Sequence, residues 1–360
     1  MNRILTSLLA IVLLASCAKT EVQYESASEI GFAPVSKIST KAAVPGTKYP
    51  TSLPMYVFAN AGLPTAAYPD GYTEPYFVNA RFIHRSGTEK TFGGDPAYYW
   101  PNVKKLIFSG VSASGNINAL SNSQTRFVYE ANEYTVASQL VKRYEIEIKG
   151  YRPGEGYSVE GDNDLMWFPT TGPHGKTTAA INVEMQHACA WVTINIIGDS
   201  VTGVKDDPNT QANEATTWKV TNVKFNEISL EGDVVLGETA KWSNLNVVTK
   251  TIYGTTDGHP LTLDYVDYTK IGDYNDLIVI PQPTRTLTIE YKYVSQKGGG
   301  PNGTDLVITE TKEIPLTYTG DQGWKAGTHY TYNITIGTKE ILVDPTVSEW
   351  DPEILTNVQI

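Results

Sequence analysis

The chain has 360 residues, a formal net charge of −11, and Lys and Arg that are scattered rather than clustered. Such a surface excludes a phosphate-tracking face, so no nucleic-acid partner is expected. Twenty-two Tyr, 30 Gly and 20 Pro, with 41% hydrophobic residues, predict many short strands closed by turns and hence an all-β fold, at a length that suits two domains.

Arg3 precedes an apolar run, Ile4 to Ala15, with the length of a signal-peptide core and too short to span a membrane as a helix. Leu14-Ala15-Ser16-Cys17 follows and resembles the lipobox of bacterial lipoproteins. That resemblance implies a signal peptide over 1–16, a lipid on the Cys17 thiol, and a polar tether over 17–28. Cys189 would then be the remaining thiol, so no intrachain disulfide is expected.

Ile30, Phe32, Pro34 and Ile38 fall on even positions, the period-two mark of a half-buried strand, and Pro34 suggests an edge. Met55 to Ala59 predicts a buried strand, and Leu106-Ile107-Phe108 a second one after the turn at Tyr98-Tyr99-Trp100-Pro101. Val136 to Tyr144 is the one helix candidate, overlapping the alternating strand Tyr144 to Lys149, which has one wet face. Between Ile181 and Ile197 the apolar positions change phase, which predicts a bulge near His187. The polar stretch Gly198 to Thr216 divides an N-terminal unit, 29–198, from a C-terminal one, 217–340. Strand patterns then recur at Val220 to Leu230, Leu277 to Ile280, Leu287 to Tyr293, Ile314 to Tyr318 and Tyr330 to Ile336, with a Gly-rich hairpin loop at Gly298 to Gly303.

No constellation carries catalysis or a cofactor. Gly175-Lys176-Thr177 lacks the earlier Gly and the following helix of a phosphate loop. His187 and Cys189 share a strand face without enough further ligands for a metal, so His187 is expected as a core histidine and no metal site is expected. Asp162-Asn163-Asp164 lacks the rest of a calcium loop and is expected to be a solvated turn, as Glu145 and Glu147 are expected on a solvated face. Gly110 to Ser114 lacks the second Gly of a nucleophile elbow.

Several stretches together resemble the fimbrillin family, the type V pilins of some anaerobic Gram-negative bacteria. They are the lipobox; Ile30-Gly31-Phe32 with Thr40-Lys41-Ala42; Tyr99-Trp100-Pro101; Val183 to Val192; Ile280-Pro281-Gln282; Trp324-Lys325-Ala326-Gly327 with Tyr330-Thr331-Tyr332; and Val347 with Trp350. The resemblance implies two transthyretin-like, Greek-key β-sandwich domains, export as a lipoprotein to the outer membrane, and polymerisation by strand exchange once an N-terminal strand is cut away. The partners it implies are other copies or related pilin subunits, with a host or bacterial surface ligand for the fibre.

Two segments have the pattern for such exchange: the strand with Ile30, Phe32 and Ile38, and a tail over 341–360 with Trp350, Ile354, Val358 and Ile360 on even positions. The best-known family members are cut after Arg, yet no Arg lies between Arg3 and Arg81, which leaves Lys37, Lys41 or Lys48 as processing sites. The alternative expectation is a non-polymerising surface lipoprotein that binds glycans through the flat faces of Trp100, Trp167 and Trp242.

Overall fold

Alternating side chains and β-branched or aromatic residues favour strands, and among the described residues there is no helix. The computed structural model describes residues 28–36, 49, 51–68, 70–86, 91–113, 129–136, 139–153, 164–198, 216–260, 276–295, 306–320, 322–336 and 341–349. The strands in them are β1 (Gly31–Ser36), β2 (Met55–Gly62), β3 (Glu74–His84), β4 (Phe92–Gly94), β5 (Lys105–Ala113), β6 (Tyr129–Val136), β7 (Gln139–Tyr151), β8 (Leu165–Phe168) and β9 (Ile181–His187). They continue as β10 (Ala190–Gly198), β11 (Thr216–Leu236), β12 (Ala240–Pro260), β13 (Asp276–Val279), β14 (Thr286–Ser295), β15 (Leu306–Pro315), β16 (Thr328–Ile336) and β17 (Ile341–Glu349).

Seven strands close a ring in the order β1-β4-β3-β2-β5-β8-β9. Its interior is one apolar cluster rich in Phe, with Ile30 and Phe32 at its centre. A four-stranded sheet, β13-β10-β16-β17, faces a six-stranded one, in which β15-β14-β11-β7-β6 run in order and β12, the sixth strand, pairs with β11. Side chains of both sheets share a second core, with Val192, Ile194 and Tyr332 from one and Val223, Phe225 and Ile289 from the other. The stretch 29–198 thus supplies β6, β7 and β10 to the sheets built around 216–349. Residues 199–215 lie outside the described residues.

Four local expectations change. Val136 to Tyr144 is a hairpin, with β6 and β7 paired from Tyr129↔Ile146 to Val136↔Gln139; alternation in β7 wins over the short helical spacing. The phase slip at His187 is a corner, not a bulge: β9 stays in the ring, the chain bends at Ala188 and Cys189, and β10 enters the other sheet. Asp164 is buried against His187 instead of lying in a solvated turn; Asp162 and Asn163 fall outside the described residues. Glu145 is buried too, because the β11–β12 turn at Gly237 lies on it and the Lys241 Nζ stands 3.8 Å away.

A third core joins the two units. Phe58, Val111, Leu165 and Trp167 from the ring pack with residues that include Ile146, Tyr151, Trp191, Leu236 and Ile278. Two indoles cross this junction in opposite senses: Trp167 Nε1 donates to Gly237 O at 2.9 Å, and Trp242 Nε1 donates to Ala188 O at 2.9 Å.

Motifs far apart in sequence meet in the second core. Gln282 is buried and replaces a missing stretch of ladder: its Oε1 accepts from Ser229 N at 2.8 Å, and its Nε2 donates to Ser229 O at 3.1 Å and Ile280 O at 2.9 Å. Its backbone pairs with Trp324, whose Nε1 donates to Tyr332 Oη at 3.0 Å. Gly323 permits this approach with φ of +85°; a Cβ there would lie 2.6 Å from Gln282 O. Gln282→Leu leaves the Ser229 backbone groups buried without these partners, and is expected to cost about 2–4 kcal/mol in urea denaturation. A loss under about 0.5 kcal/mol would contradict that role.

Candidate functional site

The ring depends on a strand that arrives from outside it. Strand β1 pairs antiparallel with β4 at Gly31↔Gly93 and Phe32↔Phe92, and parallel with β9 from Phe32↔Ile181 to Ser36↔Met185. Without β1 the ring order leaves β4 and β9 as facing edges with a slot between them. Pro34 therefore does not mark an edge strand. The β4 ladder covers Gly31 and Phe32 alone, so the N–H that proline lacks is not called for on that side.

Even residues of β1 point inward: Ile30 and Phe32 are fully buried, and Pro34 is buried. The Phe32 ring sits in an aromatic box, edge-on to Phe82 at 4.9 Å and to Phe108 at 5.2 Å, and tilted against Phe168 at 6.0 Å. Gly110 on β5 lets Phe168 reach this position, because a Cβ at 110 would lie 2.3 Å from the Phe168 ring. Met55, Met166 and Met185 complete the same core.

The mouth of the slot is polar. Ile30 N donates to Tyr98 O at 2.8 Å and Trp100 N to Ser28 O at 2.9 Å. Arg85 Nη2 holds Glu29 Oε1 at 3.0 Å and donates to Gly94 O at 2.6 Å. The ion pair is nearly half exposed and adds little to stability, but it fixes where β1 begins.

The chain is described again at Tyr49, which is 3% exposed. Its ring stands edge-on to Phe92 at 5.3 Å, and its hydroxyl donates to Ser112 Oγ, which donates on to Pro54 O at 2.8 Å. Burial pushes the Tyr49 hydroxyl far above the usual tyrosine range; the Ser112 hydrogen bond opposes it, and Asp164 adds a smaller upward push. Tyr49 is thus a neutral anchor between β4 and β5.

The other candidate residues separate clearly. Ile30 and Phe32 meet at the slot. Cys17, Lys37, Ile38, Lys41, Lys48, Trp350, Ile354, Val358 and Ile360 lie outside the described residues. His187 is a core histidine, with Nδ1 at 2.7 Å from Asp164 Oδ2. The Cys189 thiol is fully buried; burial raises it well above its ordinary range, Asp164 raises it further, and a Leu165 backbone hydrogen bond opposes them. A thiol held neutral in that way is inert as a nucleophile. Among the described residues no group of three His, Cys, Asp or Glu is placed to hold a metal.

Trp100 and Trp167 are buried, and Trp242 is half-buried with its N–H used at the junction. They form no exposed row. Sequence patterning found β1 but not its walls: Phe82, Phe108 and Phe168 come from three separate strands, and only pairing brings them together. Tyr49 had no local signal, since beside Lys48 and Pro50 it stands in no alternating apolar run.

Comparison with known proteins follows the fold. A family model described as fimbrillin-like matches residues 51–350. Among solved structures, a fimbrial protein from Bacteroides vulgatus overlies 89% of this chain and 99% of its own, at 16% identity and a TM-score of 0.59. The tip fimbrial protein Mfa3 from Porphyromonas gingivalis, truncated at its C-terminus, aligns over 83% of this chain and 94% of its own, at 10% identity and a TM-score of 0.33. No curated protein sequence matches.

Phe32→Ala empties the aromatic box and is expected to lower stability by about 3–5 kcal/mol. Ala33→Ser, on the outward side of β1, is expected to change it by less than about 0.5 kcal/mol. Parallel denaturant titrations check the pair; equal effects would mean that β1 is not seated as described. Alkylation gives a second check: Cys189 is expected to resist iodoacetamide at pH 8 in the native protein and to react in denaturant.

Proposed function

The chain belongs to the fimbrillin-like family, and from that premise we propose that it is a structural subunit of cell-surface fimbriae, exported as a lipoprotein and assembled by β-strand exchange after its N-terminal strand is removed. The family is one of fimbrial proteins rather than enzymes, and association with other fimbrial subunits at the cell surface goes with membership.

The observation that carries the reading is the lone seat of β1. It closes the ring between two strands that have no pairing with each other among the described residues. Between β1 and the Tyr49 anchor the sequence holds Lys37, Lys41 and Lys48. A cut in that segment frees β1 at its C-terminal end while Tyr49 keeps β4 and β5 in place. The slot so opened presents the Phe82, Phe108 and Phe168 rings and two unpaired strand edges, a surface that water solvates poorly and that another extended segment satisfies.

The tail supplies such a segment, with Trp350, Ile354, Val358 and Ile360 alternating with polar residues. In the precursor, β1 occupies the slot and keeps the subunit monomeric. Cys17 would carry the lipid that holds the precursor at the outer membrane through export. The glycan-binding alternative is not favoured, because Trp100, Trp167 and Trp242 are spent on packing and on the junction.

Limited digestion of the purified chain with a lysine-specific endoprotease is expected to release the N-terminal fragment and start a detergent-resistant ladder. Deleting 350–360 is expected to stop the ladder while leaving the monomer folded. A ladder undiminished by that deletion, or one that forms without cleavage, would refute the reading. In cells, Cys17→Ser is expected to abolish palmitate incorporation, and continued labelling would refute the lipid site.

A further inference from the structure

We infer that the slot takes the tail of a second copy of this chain in one fixed register, with Trp350 in the place of Phe32 and Pro352 in the place of Pro34. This deepens the strand-exchange reading and rests on it.

Proline sets the register. Strand β1 carries Phe32-Ala33-Pro34, and the tail carries Trp350-Asp351-Pro352 with the same spacing. The spacing also occurs at Tyr99, Tyr151 and Trp167, but these lie inside the folded units, so among the segments free to be donated the tail is the one that has it. At the Pro34 position the slot tolerates a missing N–H, since the β4 ladder has ended. At the Ile30 position it does not, because Ile30 N donates to Tyr98 O. Seating Ile354 in the aromatic box would put Pro352 at that donor position and lose the bond. Seating Val358 there would put a side chain smaller than a phenyl ring in the aromatic box and leave it underfilled.

Methionine makes room. An indole is larger than the phenyl ring it would replace, and a rigid core resists such overpacking. Three of the four methionines in the chain, Met55, Met166 and Met185, line this one core, the other being Met1. Unbranched thioether side chains repack around a changed guest more readily than Ile or Val. A slot that must hold β1 first and a different strand later needs that compliance.

Reach excludes the chain's own slot. Glu349 ends β17 opposite Thr328, and the neighbouring Gly327 N donates to Cys189 O, two residues past the end of β9. The level of Phe32 is that of Ile181, six residues up β9 from His187 and thus about 20 Å away. Trp350 stands one step of about 3.8 Å beyond Glu349. Peeling β17 open moves the pivot farther off, because its earlier residues pair farther along β16. The end of β17 frays at little cost, as Thr346, Val347 and Ser348 are exposed. The Trp350 register is therefore open only to a neighbouring copy.

The register can be trapped by a disulfide. Ala33 of β1 pairs with Asn182, which is exposed on β9, so in this register Asp351 of the donor stands opposite Asn182 of the acceptor. Full-length Asn182→Cys and Asp351→Cys copies would be mixed, digested with the lysine-specific endoprotease and oxidised, with linked peptides read by mass spectrometry. The expected result is a 182–351 disulfide between copies that forms only after digestion, while Gln359→Cys, which takes the same place in the Val358 register, gives little link. Wild-type ladders with the link at Gln359→Cys, or with neither link, would overturn the register and leave strand exchange standing. Absence of any ladder from the digested wild type would overturn both.

Discussion

The seat of β1 between β4 and β9 is the constraint on which the rest depends. These two strands face each other across the ring without bonding, so the apolar interior stays dry only while a third segment lies between them. The segment is held by a short antiparallel ladder, a longer parallel one and three inward side chains, with a surface ion pair at its start. That is enough to seal a core, yet all of it belongs to one local stretch of chain. A fold whose closure resides in a single terminal strand can be opened by one cut without dismantling the other strands.

The remaining structure keeps the opened ring in shape. Tyr49 ties the chain that follows the Lys37, Lys41 and Lys48 stretch to β4 and β5, and the junction core welds the ring to the second sandwich. Trp167 and Trp242 reach across this weld in opposite directions, so each unit satisfies an indole of the other. In the second sandwich, Gln282 and Trp324 close the gap between sheets with side-chain and backbone hydrogen bonds. The family-like motifs around His187, Gln282 and Trp324 are thus places where the chain changes sheet, where regular ladders fail and specific side chains must replace them.

Much of this was legible in the sequence where alternation is local. Strand β2 follows from its compact apolar run, the strands around Leu287 and Tyr330 from period two, and Ile30 and Phe32 from the same alternation. The reading faltered where the chain changes partner. His187 to Ala190 looked like a slipped strand because two sheets meet there, and Val136 to Tyr144 looked helical although β7 pairs with β6 through Gln139 to Ile146. Buried polar residues were the other blind spot. Asp164 and Glu145 carry hydrophilic signals, and only the His187 ring and the Gly237 turn lying on them put them inside. The walls of the slot could not be read at all, since Phe82, Phe108 and Phe168 are joined by pairings that span the unit.

The methionines of the slot carry a chemical liability along with their compliance. Sealed beneath a strand, the thioethers of Met55, Met166 and Met185 are shielded from peroxide. In a subunit stranded between cleavage and capture they would face solvent, and conversion to sulfoxides would turn a greasy, pliable cavity into a polar one that no longer grips an incoming chain. On the strand-exchange reading, an open slot left uncaptured would thus lose its fit by oxidation.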